Sequence, residues 1–266
     1  MRPFSIAIST LGLVAILAAP ATAQQSDGSR PTLHVSDAYR SCFFDLHPEL
    51  TKDEFKEFAG EIGSVLRFRQ LGDTATLGKG KFEIGVQYTS TPVDDSKGAW
   101  NDTMSHPAAD HWLGESIIAP RVVARFGVSD RVDLGAYGGL NPSSNYGFAG
   151  IDTKVALLRQ GPGRPVSLSI RPSISALVGP SEVWAANAAF DVSVSRALGP
   201  LSPYVGVVAS TSVAVERSNE VDFEPATAED SLAYAGIAYR WRALMISAEV
   251  EKGTLVSYGF RIGTRF

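Results

Sequence analysis

Residues 100–112 hold a dense group of side chains that could do chemistry. The group consists of Asp102, Ser105, His106, Asp110 and His111. A histidine or a carboxylate can orient a water molecule for hydrolysis, and a serine beside a histidine base can act as a nucleophile. This stretch therefore carries a hydrolase hypothesis. The alternative is a polar loop with a proline turn, or incidental cation binding by His106, Asp110 and His111.

A second group of charged side chains is spread along the rest of the chain, on one parity of successive segments. Its members are Lys81, Glu83, Glu115, Arg121, Arg125, Asp133, Asp152, Lys154, Arg171, Asp191, Glu249, Glu251, Arg261 and Arg265. Inside one lumen they would either pair into ion networks, because unpaired buried charges are costly, or line a polar pathway for small solutes. Both signs are present, so no strong anion or cation preference is predicted.

The elements that carry these charges have a period of two. Ten segments alternate apolar with small or charged residues: 81–91, 112–126, 132–137, 149–157, 166–176, 184–195, 205–215, 235–241, 244–251 and 255–266. Most are as long as a tilted strand needs to cross a bilayer, and the apolar parity suits lipid. The pattern predicts an all-β fold, a transmembrane antiparallel up-and-down barrel of ten strands. Residues 62–71 also alternate, which leaves twelve strands as the alternative.

Loop lengths and aromatic residues predict how the barrel is oriented. Connections after even-numbered strands are tight, whereas residues 92–111 and 217–229 form long loops after odd-numbered ones. Short turns are typical of the periplasmic side, so both termini are expected there. Two aromatic belts would mark the membrane interfaces. Tyr88, Trp112, Tyr146 and Trp184 are expected at the outer belt, and Phe82, Phe126, Tyr239, Trp241 and Phe266 at the inner one.

The last strand, residues 255–266, places Tyr258, Phe260, Ile262 and Phe266 on its apolar face. It resembles the closing strand of bacterial outer-membrane β-barrels, whose terminal Phe is part of the signal read by the barrel insertion machinery. The resemblance covers the signal peptide and residues 81–266, and it identifies no specific family. It implies the outer membrane as location, with its lipid and the insertion machinery as partners. Arg261 and Arg265 are expected to meet Glu249 and Glu251 on the preceding strand.

Residues 1–80 precede the predicted barrel. Residues 1–23 read as a cleavable signal peptide, with Arg2 before an apolar run and a small-residue site ending at Ala23. Residues 24–80 are expected to be a periplasmic linker with amphipathic helices, at 36–46 and from Thr51 onward. Thr51 and Glu54 have capping-box spacing, and an apolar stripe follows. The stripe predicts packing at the periplasmic mouth or partly inside the barrel. The lone cysteine, Cys42, is read as structural.

Composition narrows the function classes. The net charge is −4 with mixed signs, which argues against a nucleic-acid partner. Gly-rich pieces lack the context of a phosphate loop, and no cofactor or metal is predicted. The leading hypothesis is a non-enzymatic, porin-like or transporter-like barrel passing small solutes through a narrow polar lumen, gated by the N-terminal segment and residues 92–111. The alternatives are a closed structural or adhesive barrel acting through extracellular loops, and, less favoured, a hydrolase at the rim.

Overall fold

The computed structural model describes residues 43–94, 96–105, 116–141 and 144–266. Several predictions fall outside these ranges: the signal peptide, Cys42, Glu115, Trp112, and three rim residues, His106, Asp110 and His111. Of the helix predicted over 36–46, only the last four residues are described. They form a short strand and an irregular turn, so this part of the helix prediction is wrong.

The elements follow one another along the chain. Helix α1 spans Lys52–Leu66 and helix α2 spans Gly98–Asn101. Two short strands, β1 (Phe43–Phe44) and β3 (Met104–Ser105), pair with each other. The longer strands are β2 (Phe82–Pro92), β4 (Ser116–Gly127), β5 (Val132–Leu140), β6 (Gly147–Leu158), β7 (Ser167–Val178), β8 (Val183–Ser195), β9 (Leu201–Glu216), β10 (Ala226–Trp241), β11 (Leu244–Lys252) and β12 (Val256–Arg265).

These ten longer strands form one closed antiparallel barrel. Each pairs with its neighbour in the chain, and β12 returns to pair with β2, so the sheet has no free edge. The predicted count of ten is confirmed, and twelve is wrong. Residues 62–71 do not form a strand: α1 continues to Leu66, and an irregular extended chain follows. Their apolar and charged side chains both find partners inside the barrel, so the alternation does not reflect a sheet.

The outer face of the barrel is apolar. Val122, Ile151, Val207 and Tyr258 are each more than half exposed, and so is Phe266. Tyr258, Phe260 and Ile262 alternate with the buried Ser257 and Arg261, as the period of two requires. At the end with the short turns, Phe82, Phe126, Tyr239, Trp241 and Phe266 are all exposed.

Two local predictions are corrected. Tyr146 is buried instead of lying on an outer belt, because its ring packs 5.2 Å from that of Phe44 at the start of the described chain. Strand β10 begins at Ala226, well before the predicted residue 235. Its first outward side chains, Thr227, Glu229 and Ser231, are polar, so this part of the strand lacks the apolar alternation that marks the others.

Residues 43–77, here called the plug, occupy the lumen. The plug begins at the end with the long loops: β1 pairs with β3, and the Leu46 amide donates to Glu182 in the β7–β8 connection, 2.8 Å away. It leaves at the other end, where the Gly80 amide donates to the Gly127 carbonyl. Among the described residues, no helix is long and apolar enough to cross a membrane.

The path of the plug separates the two positions expected for the helix. Helix α1 lies inside the barrel near the long loops, so packing inside the barrel is confirmed and packing at the short-turn mouth is wrong. Phe43 lies at the long-loop end and Phe266 at the short-turn end, so the two ends of the described chain do not share one side. An even strand count places the start of the first barrel strand and the end of the last one on the same side. It does not constrain the residues before β2, which can run back through the lumen.

Candidate functional site in the barrel lumen

The half of the plug nearer the long loops, here called the upper half, consists mainly of helix α1, which begins as predicted. The Thr51 hydroxyl accepts from the Glu54 amide at 3.4 Å, and the Glu54 carboxylate accepts from the Thr51 amide at 2.8 Å, which confirms the capping box. The apolar stripe then packs on the connections at the long-loop end. Phe58 is fully buried, with its ring 5.3 Å from Trp100 and 6.0 Å from Phe44.

The wall side of α1 has small residues instead. A Cβ atom at Gly63 would lie 2.7 Å from the Cβ of Ser212, and one at Gly60 would lie 3.5 Å from that of Ala228. The Ser212 hydroxyl donates to the Ala59 carbonyl at 2.5 Å. Glycine therefore lets the helix backbone approach the wall closely, and the contact there is small and polar while the contact with the loops is aromatic.

The two rim residues that the structure describes contact the start of the plug. The Ser105 hydroxyl donates to Asp45 Oδ2 at 2.5 Å and lies 3.1 Å from His47 Nε2. The Asp102 carbonyl accepts from the His47 amide at 2.9 Å. Because the serine proton points to Asp45, His47 is not placed to remove it. The group joins plug and loop, and its partners are far away in sequence, which is why sequence reasoning missed them.

Glu182 makes a second connection at this end. Its carboxylate accepts from the Leu46 amide and lies beside Asp45. Burial raises the pKa of Glu182 to about 7, with Asp45 and Glu220 adding to the rise, against the lowering effect of the Leu46 amide. A carboxyl group that is partly protonated near neutral pH therefore lies where the plug meets the β7–β8 connection.

The wall caps the end of α1. A helix C-terminus has unpaired carbonyl groups and a partial negative charge, and α1 has no basic residue in its last turn. Arg121 on β4 donates to the carbonyls of Val65 at 2.6 Å and of Arg67 at 3.0 Å. The Tyr137 hydroxyl donates to the Leu66 carbonyl at 2.6 Å. The carbonyl groups at the end of the helix therefore find their hydrogen-bond donors on the barrel wall.

The lower half of the plug is the lumen segment, residues 67–77, and charge holds it to the wall. Arg69 Nε lies 2.7 Å from Glu251 Oε1, and Arg67 binds the same carboxylate. Asp73 binds Arg240 at 2.6 Å. Arg67, Arg69 and Glu251 are almost fully buried, so these pairs are largely hidden from salt. The alternation of residues 62–71 was a sequence signal for Arg67 and Arg69, although it suggested a strand.

The wall charges also pair with one another. Arg125 donates to Asp152 at 2.8 Å, and Arg171 lies 3.0 Å from Asp191 and 3.8 Å from Asp152. The Tyr234 hydroxyl donates to Asp191 at 2.9 Å. A closed barrel brings these groups from β4, β6, β7, β8 and β10 into one interior, and together they form a continuous polar network.

The expected partners of two arginines were wrong. Arg261 and Arg265 both bind Glu83 on β2, not Glu249 or Glu251 on β11. Barrel closure explains this, because β12 has β2 as its second neighbour and Arg265 lies directly opposite Glu83 in that register. Glu251 binds the plug instead, and Glu249 accepts from the Leu71 amide at 3.2 Å.

The structure places the other charges of the predicted set as follows. Those buried with their side chains inward are Glu83, Arg121, Arg125, Asp133, Asp152, Lys154, Arg171, Asp191, Glu249, Glu251 and Arg261. Arg265 is partly buried, and Lys81 is exposed just before β2. Within the described part of the chain, the structure shows no group of three or more His, Cys, Asp or Glu residues arranged to hold a metal ion.

Comparison with known proteins adds no family. No family model matches the chain, and no curated protein does. Among solved structures it is similar to KdgM porin, with a TM-score of 0.33 and 10% identity over 69% of this chain and 99% of that one. For the attachment invasion locus protein Ail of Yersinia pestis, the TM-score is 0.30, with 14% identity over 71% of this chain and 99% of that one. For OprG of Pseudomonas aeruginosa, the TM-score is 0.34, with 9% identity over 73% of this chain and 99% of that one. Scores this low carry no argument about function.

Proposed function

We propose that the protein is an outer-membrane channel for small polar solutes, and that the plug holds it closed. The observation that carries this proposal is how the lumen is filled. Side chains of the wall could fill a barrel of about this size. Here many inward wall positions have small side chains, as at Ser169, Ser175, Ser193 and Ser247, and a separate stretch of chain takes up the space. Without the plug, a polar passage remains.

The proposed location follows from the outer face. Each barrel strand has exposed apolar side chains, which suits lipid, and the exposed aromatic residues at the short-turn end suit an interface. With Phe266 at the periplasmic side, the long loops and the start of the plug face outward from the cell. A folded membrane barrel should migrate differently on a gel before and after boiling. An unchanged mobility would contradict the membrane location.

The contacts between plug and wall suit reversible release. Gly60 and Gly63 meet small wall residues, and residues 67–77 meet charged and hydroxyl groups that water can solvate once they separate. The aromatic contacts of α1 are with the loops, so helix and loops can leave the wall as one unit. Opening also exposes buried apolar side chains, such as Leu71 and Phe68, whose ring lies 4.6 Å from that of Tyr137 on β5, so hydration of the polar groups offsets only part of its free-energy cost.

A reversible crosslink tests the proposal in the full-length chain. We would replace Gly60 and Ala228 by cysteine in a Cys42→Ser background. The two Cβ positions lie 3.5 Å apart, within the usual range for a disulfide. In planar bilayers, the oxidised protein should give no conductance steps, and reduction should restore the steps of the Cys42→Ser parent. A parent without resolvable steps, or steps that persist after oxidation, would contradict plug gating.

A second candidate function is a closed barrel that acts through its outer loops. The observation in its favour is the near-complete burial of Arg67, Arg69 and Glu251, since buried pairs are costly to separate. The same bilayer experiment separates the two functions. A structural or adhesive barrel should stay silent in both redox states, and deletion of its long loops should remove cell attachment.

A further inference from the structure

The lumen wall binds the plug largely through main-chain atoms. Beyond Leu66 the chain leaves the helix, and Arg67 has φ −49° and ψ 137°. Residues 67–77 then run through the lumen without belonging to a helix or a strand. An unpaired main chain in a buried place must find partners for its amide and carbonyl groups. The wall supplies them.

Donors of the wall face carbonyl groups of the plug. Arg121 and Tyr137 bind the carbonyls at the end of α1, as described above. Further down, the Ser247 hydroxyl donates to the Leu71 carbonyl at 2.8 Å, and Lys154 Nζ donates to the Asp73 carbonyl at 3.0 Å. These donors come from strands β4, β5, β6 and β11, so they surround the segment from several sides.

Acceptors of the wall face its amide groups. Glu249 accepts from the Leu71 amide at 3.2 Å, and Ser195 accepts from the Thr74 amide at 3.2 Å. Both oxygens of Asp133 lie within 3.1 Å of the Leu77 amide nitrogen. At Leu71 the wall binds both main-chain groups of one residue, from the neighbouring side chains Ser247 and Glu249. Donors and acceptors thus follow the order of groups along the segment, which turns at Leu71, where φ is 40°.

We infer that the wall is a binding surface for the main chain of a non-helical peptide, that residues 67–77 occupy it at rest, and that short peptides are the solutes it takes when the plug is displaced. Every peptide presents the same alternating amide and carbonyl groups, whatever its side chains. The inference rests on the proposed displacement of the plug, and it adds the class of solute to the proposed transport.

The side chains of the segment also contact the wall, and they do so in addition to the main-chain hydrogen bonds. Arg67, Arg69 and Asp73 bind wall charges, which fixes the plug in its own register. Leu71 lies against Gly259, where a Cβ atom would come within 2.7 Å of it, so the wall leaves space for an apolar side chain at this level. A foreign peptide would lose the ion pairs and keep the main-chain bonds.

The experiment uses the full-length protein in detergent micelles, with Cys42→Ser and Ala75→Cys. Labelling of the cysteine by a maleimide reports how often the lumen segment leaves the wall. Four probes are added: a peptide with the sequence of residues 67–77, the same residues in scrambled order, the first peptide with methylated amide nitrogens, and maltohexaose. At about ten times its dissociation constant, a competing peptide should raise the exposed population about tenfold.

We expect both the native-order and the scrambled peptide to accelerate labelling, the scrambled one less because it cannot form the ion pairs of Arg67, Arg69 and Asp73. The methylated peptide, which lacks amide donors, and the oligosaccharide should leave the rate unchanged. Acceleration by the native order alone would overturn the inference, and so would equal acceleration by the methylated peptide or by maltohexaose, or acceleration by none. Labelling needs no ion current. A protein that binds peptides but never conducts would therefore overturn the transport function alone.

Discussion

The upper and lower halves of the plug are held in place by different physical means. Helix α1 buries aromatic rings against the loops, with Phe58 between Phe44 and Trp100. Residues 67–77 bury arginines against Glu251 and main-chain atoms against serines and carboxylates. The first half gains free energy from removing apolar surface from water, and the second depends on each charge keeping its partner.

This difference indicates where the molecule is firm and where it can change. An aromatic cluster tolerates small shifts, because its contacts are not directional. A buried ion pair is directional and becomes costly as soon as one partner moves away. We therefore expect the loops and α1 to behave as one body, and the contact between residues 67–77 and the wall to be the part that solutes, mutations or pH affect.

The largest effect should come from removing the central ring of the upper half. Phe58→Ala should lower the free energy of unfolding by about 3–5 kcal/mol, because it leaves a cavity among buried aromatic side chains. Urea unfolding in micelles, followed by tryptophan fluorescence, would measure it. Phe190→Ala, on the outer face where detergent replaces the lost contact, is the matched control and should cost less. Equal losses would contradict an aromatic anchor.

The next effect concerns the lower half. Glu251→Gln removes the only full charge that the structure shows paired with Arg67 and Arg69, and it should cost about 3 kcal/mol. Labelling at Ala75→Cys should become faster in this variant, because the lumen segment spends more time off the wall. Glu229→Gln changes an exposed carboxylate on β10 and serves as the control. If both variants label at the parental rate, the ion pairs do not hold the segment.

A smaller effect should appear with pH at the junction of the plug and the β7–β8 connection. The pKa of Glu182 is raised to about 7, so the folded state favours its protonated form. Its stabilising contribution is fully present below the ordinary value of 4.5 and is lost as pH rises through about 7. Above that, the ionised group faces Asp45 and Glu220.

A nitroxide attached at Glu49→Cys, an exposed position next to this junction, would report the change. Its mobility should rise as pH increases through about 7, and Glu182→Gln should abolish the transition. His47 lies close by, with Nε2 3.1 Å from the Ser105 hydroxyl oxygen. If His47→Gln removes the transition while Glu182→Gln keeps it, the assignment to the carboxyl group is wrong.

The smallest effect should follow from the helix cap. Thr51→Ala removes the hydroxyl that accepts from the Glu54 amide and should cost about 1 kcal/mol. Thr51→Ser keeps the acceptor and should cost much less. The same urea experiment measures both variants. Because the cap is exposed and lies in the upper half, labelling at Ala75→Cys should not change. Faster labelling would mean that the two halves do not act separately.

Much of the wall could be predicted from sequence, because a barrel strand faces lipid on one side and the lumen on the other. That constraint produces a period of two in the sequence. The period predicts both the strand count and the inward orientation of residues such as Arg121 and Asp191. It fails where the outer face is polar, as at Thr227 and Glu229, which lie where β10 extends beyond the apolar band.

Partners inside the lumen were harder to predict. Glu83 meets Arg265 only because the last strand returns to the first, and Ser105 meets Asp45 only because the plug begins at the long-loop end. The stripe of α1 predicts an apolar partner without saying which one, since loops, lipid and barrel interior satisfy the same pattern. Pairings between residues far apart in sequence depend on closure, which no local periodicity contains.

The seam between β12 and β2 has a consequence for assembly. It joins the first strand of the barrel to the last, so the cylinder cannot be completed before both strands are in place. The plug precedes β2 and ends up enclosed, with Arg69 against Glu251 on the penultimate strand. A sheet still open along this seam can wrap around a helix, whereas a sealed one would have to be threaded. We therefore expect enclosure of the plug to come before sealing, and a late, non-local step of this kind to set the rate of maturation.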